Sequence, residues 1–262
     1  MNGKLEITFL GTGTSQGVPV IACKCNVCMS DDFKDVRLRS SIMFRLNHEN
    51  YIIDTGPDFR QQMLVNKVDS VKAILYTHEH KDHVAGMDDV RAFNFIEKRD
   101  MEVYCSAAVE KALHREFFYV FTENKYPGVP SVKINLIENR PFYLGSNKIV
   151  PVEVMHYKMP VFGFRIDDFT YITDAKTISE EERVKIRGCK VLVVNALRKE
   201  EHISHFNLEQ ALAFIDDIGP EKAYLTHVSH LFGRHEEIEV LLPKNVFVAY
   251  DGLKIQLDRE TT

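Results

Sequence analysis

Thr77-His78-Glu79-His80-Lys81-Asp82-His83 follows the apolar run Val71-Lys72-Ala73-Ile74-Leu75-Tyr76 and precedes a helical pattern that opens near Gly86. The apolar run has strand character. Three imidazoles and a carboxylate within six positions are costly to gather unless a cation holds them together. In extended backbone His78 and His80 point the same way, because the strand period is two. Asp82 and His83 lie where the chain turns towards the helix, so they aim at a second point. The spacing suggests two adjacent metal ions, one for each pair. The plain alternative is a polar loop that happens to be rich in histidine.

Composition narrows the setting. A chain of 262 residues with 45% hydrophobic content can bury a substantial core, and one large domain over residues 1–262 is expected. The net charge of −5 gives no global attraction to nucleic acid or to an anionic membrane. There is no 18-residue apolar run, and Met1-Asn2-Gly3-Lys4-Leu5-Glu6 has no signal-peptide layout. A cytoplasmic protein without a membrane partner is expected. Five cysteines, an odd number, make disulfides a poor explanation in such a compartment.

Three of those cysteines lie in Cys23-Lys24-Cys25-Asn26-Val27-Cys28, the density of a zinc knuckle whose fourth ligand must come from elsewhere. A cluster of unliganded thiols is the alternative. Before it, residues 5–10 alternate like a strand and run into Gly11-Thr12-Gly13-Thr14-Ser15. That turn either ends the strand or cradles an anion on its backbone N–H groups. Residues 41–46 and 51–54 read as paired strands, with Pro57 opening a helix through about residue 65. Asp54, at the strand exit, suits a helix cap.

Further on, residues 86–95 read as one helix with Val90, Phe93 and Met87 inward. Arg91 lies on its solvated face or reaches a phosphate. Residues 101–105 read as a strand and 107–119 as a helix, and the aromatic run at 117–121 reads as core packing rather than a cleft. Strands are expected at 132–137, at 148–155 ending in His156, and in a hairpin of 162–166 with 169–173 closed by Asp174. A helix over 179–187, a strand at 190–194, a polar loop with His202 and His205, and a helix over 208–217 follow. A strand at 223–226 leads into His227-Val228-Ser229-His230. A helix over 234–242 and strands at 246–249 and 253–257 complete the chain.

His78-x-His80-x-Asp82-His83 after a buried strand resembles the signature of the metallo-β-lactamase-fold hydrolases. With the cysteine loop, Asp174, His205 and the His227/His230 pair, the resemblance spans the chain from the 11–15 turn to Tyr250-Asp251-Gly252. It is closest to the cyclic-phosphate phosphodiesterases of the PhnP-like, 5-phosphoribosyl 1,2-cyclic phosphate phosphodiesterase family. The resemblance implies an α/β fold: a four-layer αββα sandwich with a dinuclear metal site at one edge. It implies that His78, His80 and His156 hold one ion, that Asp82, His83 and His227 hold the other, and that Asp174 bridges them. Asp54 would orient an imidazole from behind, and His230 would complete a structural zinc site with Cys23, Cys25 and Cys28. His205 and Asp82 would be catalytic, with manganese or zinc at the active site and a shared, deprotonated water as nucleophile.

The expected substrate is a small phosphodiester, a cyclic ribose phosphate or a nucleotide, rather than nucleic acid. A homodimer remains open. Asp88-Asp89-Val90-Arg91-Ala92-Phe93-Asn94 departs from the family pattern and leaves the substrate open too. The enzymatic rival is a tRNA 3′-processing endonuclease, disfavoured by the negative charge and by the lack of a long basic Gly/Pro-rich arm. A β-lactamase is weaker still. The rival from another class is a metal-binding protein without catalysis.

Overall fold

Strands form where β-branched and aromatic residues alternate or cluster, and Gly, Asn and Asp punctuate them. The computed structural model describes residues 4–259. Its residues fall into two compact units, each built on a sheet of seven strands.

Unit one takes the described residues of 1–10, 41–138 and 254–262. Its strands are β1 (Lys4–Gly11), β2 (Ser41–Leu46), β3 (Glu49–Ile53), β4 (Ala73–Leu75), β5 (Met101–Cys105), β6 (Val132–Leu136) and β14 (Lys254–Asp258). They lie in the order β14-β1-β2-β3-β4-β5-β6. The β2–β3 hairpin is antiparallel, whereas β3 to β6 run parallel. Helices α1 (Phe59–Val65), α2 (Lys81–Val84), α3 (Arg91–Glu97) and α4 (Ala107–Glu116) connect them. Ile52, Ile74 and Val103 of the strands pack with Phe59, Met63, Phe93, Val109 and Leu113 of the helices in one buried cluster. Each such side chain withdrawn from water contributes about 1.5–3 kcal/mol, and all three residues of β4 are buried.

Unit two takes residues 11–40 and 139–253. Strands β7 (Phe142–Leu144), β8 (Asn147–His156), β9 (Met159–Ile166), β10 (Phe169–Tyr171), β11 (Val191–Asn195), β12 (Lys222–Thr226) and β13 (Val246–Val248) form its sheet in sequence order. The first four are antiparallel neighbours, and β10 to β13 run parallel. Helices α5 (Glu180–Ile186), α6 (Leu208–Ile218) and α7 (His235–Glu239) belong to this unit. Leu192, Val194 and Leu225 pack with Ile186, Phe214, Ile215 and Ile238. An Asn207/Gln210 capping box starts α6 and Gly219, at φ 66°, ends it.

Most expected elements are present within a residue or two; β7 is not among the expected strands, the helix expected over 107–119 stops at Glu116, the strand expected from 162 starts at Met159, and three further stretches differ. Residues 86–95 divide into a 3₁₀ turn at Met87–Val90 and then α3, although Met87, Val90 and Phe93 are buried as expected. The break follows Gly86, where a Cβ would collide with the Gly56 carbonyl and Phe59. The last helix ends at Glu239 rather than near 242, since Val240 and Leu241 find no apolar cover and Pro243 disfavours helix at 242. The aromatic run is split: Phe117 is buried, whereas Phe118 is exposed. Among the described residues, no helix is long and apolar enough to cross a membrane.

Strand direction places the chemistry. Because β3 and β4 are parallel neighbours, Asp54 and the Thr77–His83 stretch leave the same edge of their sheet. In unit two β10, β11 and β12 are parallel, and β8 runs in the same sense because two antiparallel steps separate it from β10. His156, Asp174 and His227 therefore all stand at the carboxyl ends of strands along one edge. Open α/β sheets present ligand sites at such edges.

Candidate metal centre

In unit one the organising group is Asp54. It follows β3 at φ 65°, with its N–H bonded to the Leu75 carbonyl at 3.0 Å. Its Oδ1 accepts the Thr77 backbone N–H at 2.8 Å, and its Oδ2 accepts the Thr77 hydroxyl at 2.8 Å. The same Oδ2 lies 2.7 Å from Nδ1 of His83. Burial pushes the Asp54 carboxyl up, and the neighbouring imidazole and Thr77 donors oppose that push. Since the Thr77 hydroxyl has given its hydrogen to Asp54, it accepts Nδ1–H of His78 at 2.9 Å. One carboxylate thus orients two imidazoles, His83 directly and His78 through Thr77.

The rings of His78 and His83 lie with centroids 4.2 Å apart, and those of His78 and His80 lie 4.7 Å apart. Asp82 Oδ2 stands 3.2 Å from His83 Nε2. The four signature side chains are therefore near neighbours in this unit, with Asp54 bonded to His83 and, through Thr77, to His78. Three imidazoles and a carboxylate brought this close suit a divalent cation of the zinc or manganese kind. A surface cavity of about 330 Å³ in the same unit, bordered by Arg45, His48 and Lys67, contains none of these residues.

In unit two His156, Asp174 and His205 offer ligand atoms within 4.8 Å of one another. His156 Nδ1 faces two carbonyl oxygens, those of Asp174 at 3.1 Å and Ser204 at 2.9 Å. Carbonyls only accept, so the proton is on Nδ1 and the lone pair is on Nε2. Asp174 Oδ1 lies 3.0 Å from His205 Nε2 and 3.3 Å from His227 Nε2, while Oδ2 accepts the Thr173 hydroxyl at 2.6 Å. The Asn195 amide clamps Ala175 on both sides, accepting its N–H at 2.7 Å and donating to its carbonyl at 3.0 Å. The same carbonyl accepts the Phe206 N–H at 2.7 Å, which ties the His205 loop to Asp174. His202 stands beside it, its Nδ1 3.2 Å from His205 Nδ1, and burial holds its pKa below the ordinary value. Thr77 and Asn195 went unread in the sequence, because a Thr before a His and an Asn ending a strand carry no signal of their own.

The knuckle also belongs to unit two. Cys23, Cys25 and Cys28 place Sγ 3.3, 3.5 and 3.6 Å from Nδ1 of His230. Tetrahedral zinc with bonds of about 2.3 Å to sulfur and about 2.0 Å to nitrogen requires a separation of about 3.5 Å, so the set fits. Backbone N–H groups point at two of the sulfurs, from Val20 to Cys28 and from Cys28 to Cys25. The second of these holds the Cys25 thiol down to about 6, whereas burial pushes Cys28 up to about 11. One thiolate forms readily and opposes the next, an opposition that a cation removes.

Comparison with known proteins agrees with this frame. Residues 49–228 match the family model described as the β-lactamase superfamily domain. An octanoyltransferase of Porphyromonas gingivalis is 38% identical over 98% of this chain, which covers 52% of that protein. A ribonuclease Z of a Nostoc species is 26% identical over 62% of this chain and 46% of its own length. The chain thus spans about half the length of these curated relatives. Among solved structures, a diphosphatase of the PhnP family superposes with a TM-score of 0.93 and 34% identity, covering 99% of both chains. Zinc-bound PqqB of Methylobacterium extorquens gives 0.81 with 19% identity, over 96% of this chain and 100% of that one. The fold expected from the sequence is thereby shown.

Proposed function

We propose, from the premise that this chain belongs to the β-lactamase superfamily, that it is a metal-dependent phosphodiesterase acting on a small substrate, such as a cyclic ribose phosphate or a nucleotide. The observation that carries the reading is the way the imidazoles are anchored. His83, His78 and His156 each have Nδ1 engaged by an oxygen acceptor, Asp54, Thr77 and two carbonyls respectively. A histidine fixed in that tautomer turns Nε2 outward as a lone-pair donor, the usual posture of a metal-ligating imidazole.

In this reading His78, His80 and His156 would hold one ion and Asp82, His83 and His227 the other, with Asp174 a ligand to both. When bound, such ions supply a deprotonated water near neutral pH and neutralise charge on phosphoryl oxygens. The chain's own contribution is orientation and proton delivery. Asp54 and Asn195 keep the strand exits fixed, and His205 donates a proton to the leaving oxygen. Opening a cyclic ribose phosphate expels an alkoxide, which needs that proton, and general acid assistance contributes about 10²–10⁴ in rate. The thiolates with His230 would hold a structural zinc, which would pin residues 20–30.

Two relatives suggest other substrates. A diphosphate linkage, suggested by the PhnP-family diphosphatase, uses the same phosphoryl chemistry with a better leaving group. The ribonuclease Z likeness suggests a nuclease, which the net charge of −5 opposes because phosphate backbones bind basic surfaces. Octanoyl transfer needs an acyl acceptor site rather than clustered imidazoles and carboxylates. The match covers 52% of the Porphyromonas protein.

The test is metal analysis of the purified protein, then a screen of bis-p-nitrophenyl phosphate, cyclic ribose phosphates, nucleoside diphosphate esters and precursor tRNA. Three divalent ions per chain and turnover of a small ester are expected. Metal-loaded protein inert towards every phosphoester would leave a metal-binding protein without catalysis.

A further inference from the structure

We infer that Ser40 is a positioning residue for His227: it fixes the imidazole in the tautomer that presents Nε2, and so sets the affinity of the ion held there. The inference rests on the proposed role of His227 as a metal ligand and assigns what holds that ligand in place.

A serine hydroxyl has one hydrogen and two lone pairs. Ser40 gives its hydrogen to the Gly13 carbonyl at 2.9 Å, and its backbone N–H goes to the same oxygen at 3.0 Å. That carbonyl cannot drift. The Gly13 N–H is bonded to the Leu38 carbonyl at 2.8 Å, and a Cβ on residue 13 would meet the Arg37 carbonyl at 2.9 Å and the Leu38 carbonyl at 3.0 Å. Residue 13 is glycine because two backbones approach there too closely for a side chain.

With its hydrogen spent, Ser40 Oγ offers only lone pairs to His227 Nδ1, 3.2 Å away. The second hydroxyl near Nδ1, Thr173 Oγ1 at 3.5 Å, has also given its hydrogen away, to Asp174 Oδ2. Both neighbours of Nδ1 are acceptors. Nε2 faces Asp174 Oδ1 and Thr14 Oγ1, each at 3.3 Å, so the proton has an acceptor on either side of the ring; where Nε2 gives its lone pair to an ion, the single N–H is on Nδ1, against Ser40. Ser40, Thr173 and His227 are each 1% exposed or less, so bulk water offers no substitute acceptor. Of the two hydroxyls, Ser40 is the nearer, and 3.5 Å is at the limit of a hydrogen bond.

The backbone around the imidazole supports the same role. His227 sits at φ 56°, and the chain on either side of it is tied to the 11–15 turn. The Val228 N–H bonds to the Thr12 carbonyl at 2.9 Å, and the Thr14 N–H bonds to the Val228 carbonyl at 3.1 Å. Thr12 is itself clamped, accepting from the buried Arg37 at 2.9 Å and donating to Asp251 at 2.7 Å. The glycine turn that the sequence offered as an anion cradle thus serves to carry the carbonyl that orders Ser40 and, through it, His227.

The experiment compares wild type, Ser40→Ala and His227→Ala, all zinc-loaded, by chelator competition and by long-range ¹H–¹⁵N spectra of the imidazoles. Wild type should show His227 protonated at Nδ1, identified by the resonance that His227→Ala removes. His227→Ala should lose one ion. Ser40→Ala should keep its fold by circular dichroism but bind that ion about 10–100-fold more weakly, the usual cost of removing a ligand's hydrogen-bond partner. Full metal content in His227→Ala would overturn the ligand reading itself. Loss of an ion in His227→Ala with undiminished affinity in Ser40→Ala would overturn the positioning role alone. Should Ser40→Ala not fold, the wild-type spectrum decides, because an Nε2-protonated His227 contradicts the inference.

Discussion

Asp54, Asp174 and His227 leave their strands at φ 65°, 58° and 56°, in the left-handed region that residues with a Cβ rarely adopt. Each such conformation costs about 1–3 kcal/mol and persists only where surrounding contacts over-determine it. The contacts are on view: Ser41 bonds the Asp54 carbonyl, Asn195 clamps Ala175, and the 11–15 turn grips Val228. Asn47, Lys98 and Asp167 adopt the same region in plain turns, so it is the buried contacts rather than the conformation that single these three out. We predict that Asp174→Ala lowers the metal content and abolishes hydrolysis; a variant with full metal and normal turnover would remove Asp174 from the site. For His205 the discriminating variable is the leaving group. His205→Ala should slow an alkyl or ribosyl phosphodiester by about 10²–10⁴ and cost far less with p-nitrophenyl or diphosphate substrates, whose leaving groups depart unaided. Equal losses on both, with metal intact, would assign His205 to structure; loss of metal would make it a ligand beside His156 and Asp174.

At the scale of elements, the knuckle and the strand that carries His227 are coupled by three residues of chain. His230 completes the thiolate set, and Ser229 N–H bonds back to the Leu197 carbonyl at 3.0 Å. The loop before the knuckle turns on itself through the Cys23 to Val20 bond and is held to the following segment by the paired Val18 and Arg37 backbone bonds. Of its apolar side chains Val18 and Val27 are buried, whereas Ile21 and Met29 are exposed. A cross-link therefore contributes more here than packing does. Cys25→Ser should lower the melting temperature by on the order of 5 °C while changing kcat little, since a loss of 1 kcal/mol moves Tm by about 2–4 °C at this size. An anomalous-scattering map without metal at these sulfurs would sink the claim.

Across the whole molecule the chain leaves one unit and re-enters the other repeatedly, and in unit two a buried polar cluster joins its two segments. Arg37 donates to the Ala249 carbonyl at 2.5 Å and lies 3.4 Å from His235 Nδ1, while the His235 N–H bonds to Asp35 at 2.7 Å. Burial and the Arg37 guanidinium push the His235 pKa down to about 4, and burial pushes Asp251 up to about 6. The signs oppose. His235 favours the folded state in its neutral form, so its stabilisation is complete above pH 6.5 and is lost as pH falls towards 4. Asp251 favours the folded state in its protonated form, so its penalty is present above pH 6 and is relieved as pH falls towards 3.8. H235Q removes the first effect alone. Relative to wild type, its unfolding free energy should rise by up to about 3 kcal/mol as the pH drops from 6.5 to 4. Urea titrations that run parallel across this window would show that His235 does not titrate as the cluster requires.

The sequence by itself determined the order of most of the elements and which side chains to consider as metal donors. His78, His80, Asp82 and His83 were legible because they are contiguous, dense and preceded by an apolar strand. The cysteines were legible for the same reason, whereas His156, Asp174 and His227 were named only through the family resemblance, because a polar residue ending a strand carries no signal of its own. Local spacing and period encode such facts, and no distant contact is needed to read them. Tertiary structure decided which atom of each ligand is presented. Ser40, Thr77, Asn195 and Gly13 are ordinary residues in sequence, and they acquire roles only where a hydroxyl, amide or carbonyl from another strand meets an imidazole or its backbone. A hydrogen bond is directional and spans about 3 Å, whereas the partners lie as far apart as Ser40 and His227 in the chain. Strand sense, set by parallel and antiparallel pairing, brings those partners to one edge of a sheet, and pairing is a property of the folded chain.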